Sequence, residues 1–125
     1  MKILMFVILI CQGFILVIGN NMRKLIRNKI PNFIMGERDT LLDHENHGLR
    51  RMTEWEYPYA LQLKLHEEWA EAWASPSAEE LGDCLQVLKD TAEYMGIEWK
   101  QVETAMSNKE EQRGGFNQRW ELRTK

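Results

Sequence analysis

The sequence predicts an all-α fold, a small helical bundle built around two antiparallel helices, and three observations predict it. Apolar residues recur at 3.6-residue spacing in three runs after residue 53, the signature of amphipathic helices. Start and stop signals bound those runs: Thr53 with Glu56, Ser75 to Ser77, Gly96, and Gly114-Gly115. The stretch Lys64–Gln86, KLHEEWAEAWASPSAEELGDCLQ, carries Glu68-x-x-Glu71 and Glu80-x-x-Asp83 on either side of the Ser75-Pro76-Ser77 break. Residues three apart share a helix face, so each pair aims two carboxylates one way and the break folds one helix against the other.

The chain opens on an apolar leader, Ile3–Gly19, behind Lys2. It reads three ways: a signal peptide with Gly19 near the cleavage position, a membrane anchor at the short end of what spans a bilayer, or residues ahead of a true start at Met22. The domain boundary falls at 21/22, with residues 22–125 forming one small domain. Arg23–Ile30 alternates too poorly for a clear strand. Pro31 suits a first helical position, opening a short helix over PNFIM that Gly36 stops. The polar stretch from Glu37 to Arg51 reads as a loop.

Thr53-Glu54-Trp55-Glu56 is a capping box that opens the first long helix, and Pro58 falls early enough not to end it. Tyr57, Leu61, Leu65, Glu68 and Ala72 form one stripe. Glu68 lies inside that apolar stripe, and a carboxylate aimed into a core is costly unless paired or bound to metal. The second helix starts at Ser75 or Ser77. In the latter case Glu80 can also serve its own helix end through the box Ser77-Ala78-Glu79-Glu80. Leu81, Cys84, Leu85, Leu88, Ala92 and Met95 form its apolar face, with Glu80 and Asp83 along one margin, and Gly96 stops it. The third helix runs from Ile97 to Gln112. Trp99, Val102 and Met106 share a stripe that Lys109 and Arg113 continue. Beyond Gly115, Phe116 is placed to fold back, and the tail through Trp120 and Leu122 is short and irregular.

Composition bounds the function. A net charge of −3, or −4 once Lys2 is set aside, makes a poor grip for nucleic acid. Cys84 is the one cysteine outside the leader; a lone buried thiol suits a reducing compartment, so the expected location is cytoplasmic, or membrane-anchored through Ile3–Gly19 if that segment is an anchor. His44, His47 and His66 have no zinc-ligand spacing, and no Glu-x-x-His pair suggests a di-iron bundle. Trp69 and Trp73, one turn apart, are core, dimer contact or a base-stacking pair. Three or four carboxylates converging between helices repel one another unless a cation sits among them, and hard divalent ions such as Mg²⁺ take such oxygens. The working expectation is a metal site between two helices.

Three segments, in order, make the chain resemble the MazG-like nucleoside triphosphate pyrophosphohydrolases, nearest the small phosphoribosyl-ATP pyrophosphohydrolase-like branch. Lys24–Pro31, KLIRNKIP, is similar to that branch's KLVRDKIP. Lys64-Leu65-His66-Glu67-Glu68 with Glu71 matches KLxEExxE, and Glu79-Glu80-Leu81-Gly82-Asp83 matches EELAD. Lys109 with Arg113-Gly114-Gly115-Phe116 matches the closing K-x-x-x-RGGF. The likeness covers roughly residues 22 to 122 and implies a helical fold completed by dimerisation or larger assembly. It implies Mg²⁺-dependent (or Mn²⁺-dependent) cleavage of a nucleotide between its α and β phosphates, to a monophosphate and pyrophosphate. Carried over by position, Glu68, Glu71, Glu80 and Asp83 are the metal ligands. Glu67 is an outer helper, and either Glu67 or Glu71 is the base that takes a proton from water. Lys109 and Arg113, with Arg27 or Lys29, would balance the charge of the triphosphate; a solvated surface is the alternative for all four and the plainer reading for Arg27 and Lys29.

The chain departs from the pattern at Asn28, which replaces the usual Asp, at Gly82 for Ala, and at Gln86 where a further Glu is common. The rival reading is a helical interaction module of the same fold without catalysis, and a third is a metal-bound structural dimer. Base and sugar preference is not legible, because fold does not fix substrate.

Overall fold

The computed structural model describes residues 9–11, 14–16, 24–31 and 48–124. Three helices dominate: α1 (Tyr57–Ala74), α2 (Ala78–Tyr94) and α3 (Trp99–Arg113). The strands among the described residues are β1 (Leu9–Cys11) and β2 (Phe14–Leu16), which pair antiparallel with Ile10 opposite Ile15. This hairpin lies in the apolar leader. Among the described residues no helix is long and apolar enough to cross a membrane. The 21/22 boundary, the helix expected over PNFIM beyond Pro31, and most of the 37–51 loop lie outside the described residues; Ile30 and Pro31 themselves are helical. The chain divides into two compact units, residues 1–88 and 89–125.

In the first unit the capping box of Thr53 and Glu56 closes as expected, with a shifted consequence. The Thr53 amide donates to the Glu56 carboxylate at 3.0 Å, and the Glu56 amide donates to Thr53 Oγ1 at 3.3 Å. The box makes a turn, and α1 begins after it at Tyr57. Pro58 occupies the first turn of α1, where an amide hydrogen has no helical acceptor to lose. Arg50 adds a fork that the sequence did not signal: its two terminal nitrogens each donate at 2.9 Å to one oxygen of Glu56. That bond raises the guanidinium pKa above its ordinary value.

Leu61, Glu68 and Ala72 are the buried residues of α1, so the expected stripe holds, Glu68 included. α1 ends when the Ser75 amide donates to the Glu71 carbonyl at 2.9 Å. Ser77 resolves the two-start ambiguity: its Oγ accepts the Glu80 amide at 3.1 Å, one of the otherwise unpaired amides that open a helix. Only Ser75, Pro76 and Ser77 separate α1 from α2, so the turn is as tight as the spacing required.

The face of α2 differs from expectation. Cys84 and Val87 are buried, while Leu81, Leu85 and Leu88 are exposed. Glu80, Asp83, Cys84 and Val87 follow i, i+3, i+4, i+7, so the carboxylates lie on the inward stripe rather than along its margin. The leucines turn outward. Gly82 is helical and open: a Cβ there meets nothing within 4 Å. Glycine costs a helix interior about 1 kcal/mol relative to alanine. Gly82→Ala is therefore expected to raise stability by about 0.5–1 kcal/mol, read as a higher denaturant midpoint; a lower midpoint contradicts the open geometry.

In the second unit, α2 closes with a Schellman arrangement. The Ile97 amide donates to the Ala92 carbonyl at 2.8 Å and the Gly96 amide to Glu93 at 3.0 Å, with Gly96 at φ 73, a conformation glycine adopts without penalty. Glu98 and Gln101 form a reciprocal capping box for α3, which starts two residues later than expected and stops at Gly114. No residue of α3 is fully buried; of the expected stripe Trp99 and Val102 are half-buried and Met106 is exposed. Phe116 is 99% exposed and does not fold back: the chain leaves Gly114 with no apolar partner for the ring. The tail is irregular through Trp120 and Leu122.

Candidate metal centre

The tight turn brings the first turns of α2 against the last turns of α1. It places one carboxylate oxygen each from Glu68, Glu80 and Asp83 within 4.8 Å of one another. Glu68 is only 7% exposed, and Glu80 and Asp83 are half-buried. Two oxygens across a single Mg²⁺ lie about 4.2 Å apart, twice the usual metal–oxygen distance. The donor set is all oxygen, the ligand type that hard divalent cations take, at separations up to 4.8 Å. Glu80 Oε2 is buried and has no hydrogen-bond partner among the described residues. Such an orphan oxygen is costly, and a bound cation is one way to satisfy it. Ser77 caps through its hydroxyl, but no bond returns from the Glu80 carboxylate among the described residues, so the capping role that competed for Glu80 is not taken up.

Glu71, the fourth expected ligand, lies outside this triad and is exposed. Its carboxyl pKa is nevertheless raised, by partial burial first and then by the charges of Glu68, Glu67 and Glu80, with Lys24 opposing. A raised carboxyl pKa means that the folded chain holds a proton the unfolded chain releases. That contribution to stability is present at acid pH and lost as pH rises through the folded value. Glu71→Gln is thus expected to stabilise the metal-free chain at neutral pH, by less than about 1 kcal/mol given its exposure. The gain should disappear near pH 4, which thermal melts at the two pH values would measure; destabilisation at neutral pH would contradict the repulsion.

Cations surround the cluster. Lys64, one turn before Glu68 on α1, pairs with Glu68 at 2.9 Å and Glu67 at 3.5 Å. Lys24 pairs with Glu67 at 2.8 Å. Burial alone would raise the Glu67 pKa, but the Lys24 hydrogen bond and the charges of Lys64 and Lys24 outweigh it and hold it below the usual carboxylate range. The same bond raises the Lys24 pKa. Arg27 donates from a terminal nitrogen to Asp83 Oδ1. Burial raises the Cys84 thiol pKa, with Glu68, Asp83 and Glu80 adding to it, so this sulfur is a packing group beside the acids rather than a nucleophile.

Of the expected phosphate-binding cations, Arg27 reaches the cluster, but it sits on a carboxylate. Lys29 is exposed and makes no ion pair among the described residues. Lys109 and Arg113 are exposed on α3 in the second unit. Trp69 and Trp73 are 51% and 73% exposed and meet edge to face, with centroids 6.0 Å apart, so they are not core. His66 is exposed, as expected; His44 and His47 lie outside the described residues. Two site residues escaped the sequence reading. Lys64 was discoverable, since its i+4 spacing to Glu68 is the standard helical ion-pair register. Lys24 lies far from Glu67 in sequence, and its pairing is set by tertiary structure.

No family model, curated protein or solved structure matches the chain.

Proposed function

We propose that the protein is a Mg²⁺-dependent nucleotide pyrophosphohydrolase that cleaves the α–β phosphoanhydride of a nucleoside triphosphate or related nucleotide. The observation that carries the reading is the convergence of Glu68, Glu80 and Asp83 around a buried oxygen of Glu80 that lacks a partner. The KLIRNKIP, KLHEExxE, EELGD and RGGF segments support it through their likeness to the MazG-like family. A bound divalent ion would supply charge neutralisation at phosphate oxygens and a more acidic water.

Each side chain then has a task. Glu68, Glu80 and Asp83 hold the ion, with Glu71 at the rim as a fourth ligand or as the proton acceptor. Either Glu67 or Glu71 takes the proton from the attacking water, Glu71 being the one without an ion-pair partner among the described residues. Glu67, held ionised by Lys24 and Lys64, keeps those two ammonium groups beside the acids. Lys109, Arg113, Arg27 and Lys29 are the cations assigned to the triphosphate. The chain works as a homodimer in the cytoplasm, a compartment that suits the free thiol of Cys84.

The rival reading, a non-catalytic interaction module, is favoured by one feature, the exposed Trp69, Trp73, Leu81 and Leu85. Calorimetric titration with Mg²⁺ or Mn²⁺ separates the two. Saturable binding that is lost in Glu80→Gln is expected; no binding to the folded wild-type chain would end the enzymatic reading.

A further inference from the structure

We propose that Arg27 is a latch on this centre: its guanidinium bonds Asp83 and swings away when a divalent ion binds. The inference rests on the metal-centre reading and adds a regulation to it. Asp83 Oδ1 accepts the bond from Arg27, and Asp83 is one of three residues whose oxygens converge. A cation that ligates Asp83 and a guanidinium that binds it compete for the same carboxylate.

The three cations around the cluster are not equivalent. Lys64 belongs to α1, its backbone fixed by helical hydrogen bonds, and it shares its charge between Glu67 and Glu68. Lys24 sits on Glu67, outside the converging triad. Arg27 alone bridges a separate segment to a member of that triad. Residues 24–27 are neither helix nor strand, so few backbone bonds resist their movement. Lys24 can keep its grip on Glu67 while the Arg27 end departs, which makes Lys24 the tether and Arg27 the moving part.

Local repulsion at Asp83, rather than net charge, favours an exchange over simple addition. Glu67, Glu68, Glu71, Glu80 and Asp83 face Lys24, Arg27 and Lys64, leaving two formal negative charges. An ion added while Arg27 stays would bring like charges together at one carboxylate, Asp83, whereas exchange removes that contact and leaves one formal negative charge on the cluster. A guanidinium fork released at the mouth of the centre is then suited to phosphate oxygens.

The test is hydrogen exchange of the full chain, read by mass spectrometry over residues 24–31, with Mg²⁺ binding followed calorimetrically on the same samples. Saturating Mg²⁺ should speed exchange of the 24–31 amides about tenfold, the loss of one charge-assisted hydrogen bond. In Arg27→Gln these amides should exchange fast without Mg²⁺ and change little with it, while the ion binds about tenfold more tightly. Binding to wild type with 24–31 protection unchanged overturns the latch and leaves the metal centre standing. No binding to either protein overturns both.

Discussion

Glu68→Gln is expected to lower metal-dependent turnover by about a hundredfold or more while leaving the helices in place. Glu68 is the most buried carboxylate of the cluster and lies on the same stripe as Leu61 and Ala72. The substitution preserves its volume and one carbonyl oxygen but removes the charge that the ion requires. Lys64 loses its 2.9 Å partner and keeps Glu67 at 3.5 Å, so the half-buried ammonium is not stranded. The metal-free protein should lose about 1–3 kcal/mol of stability, the usual cost of weakening a bond to a charged group. Circular dichroism should retain the helical signal. Loss of that signal would mean that Glu68 is structural, and unchanged turnover would remove it from the site.

Leu85→Glu is expected to convert a dimer to a monomer. The first unit exposes Trp69 and Trp73 on α1, and Leu81, Leu85 and Leu88 on α2. Exposed large apolar side chains, where they gather into a patch, mark interaction sites. Each large apolar side chain returned to a dry interface contributes about 1.5–3 kcal/mol. A carboxylate in the middle of the α2 stripe forfeits one such term and adds a desolvation cost, which should weaken association at least a hundredfold. At 54% exposure Leu85 supports little of the monomer's own core, so folding should survive. Sedimentation velocity would show wild type as a dimer and Leu85→Glu as a monomer. Wild type sedimenting as a monomer would assign these stripes to another partner.

The helices and their ends were legible because their signals are local. The capping box at Thr53, the hydroxyl of Ser77, the left-handed turn at Gly96 and the stop at Gly114 each act within a few residues. The apolar position of Glu68 was visible for the same reason: a 3.6-residue stripe needs no tertiary information. The rotation of α2 was less legible, since two apolar stripes compete on one helix. Leucine count favoured Leu81, Leu85 and Leu88, but burying Cys84 and Val87 brings Glu80 and Asp83 inward with them. The pairings of Lys24 with Glu67 and Arg27 with Asp83 join distant parts of the chain and left no periodic mark. Phe116 had local room to fold back, yet nothing in α3 offers it a buried surface.

The most direct measurement is pyrophosphate release by the purified protein across a panel of nucleoside triphosphates, with and without Mg²⁺. The assignment predicts that at least one nucleotide yields equal amounts of monophosphate and pyrophosphate, only when Mg²⁺ or Mn²⁺ is present. The absence of release from every nucleotide, by folded protein that still binds the ion, would contradict hydrolysis and leave a metal-bound helical scaffold.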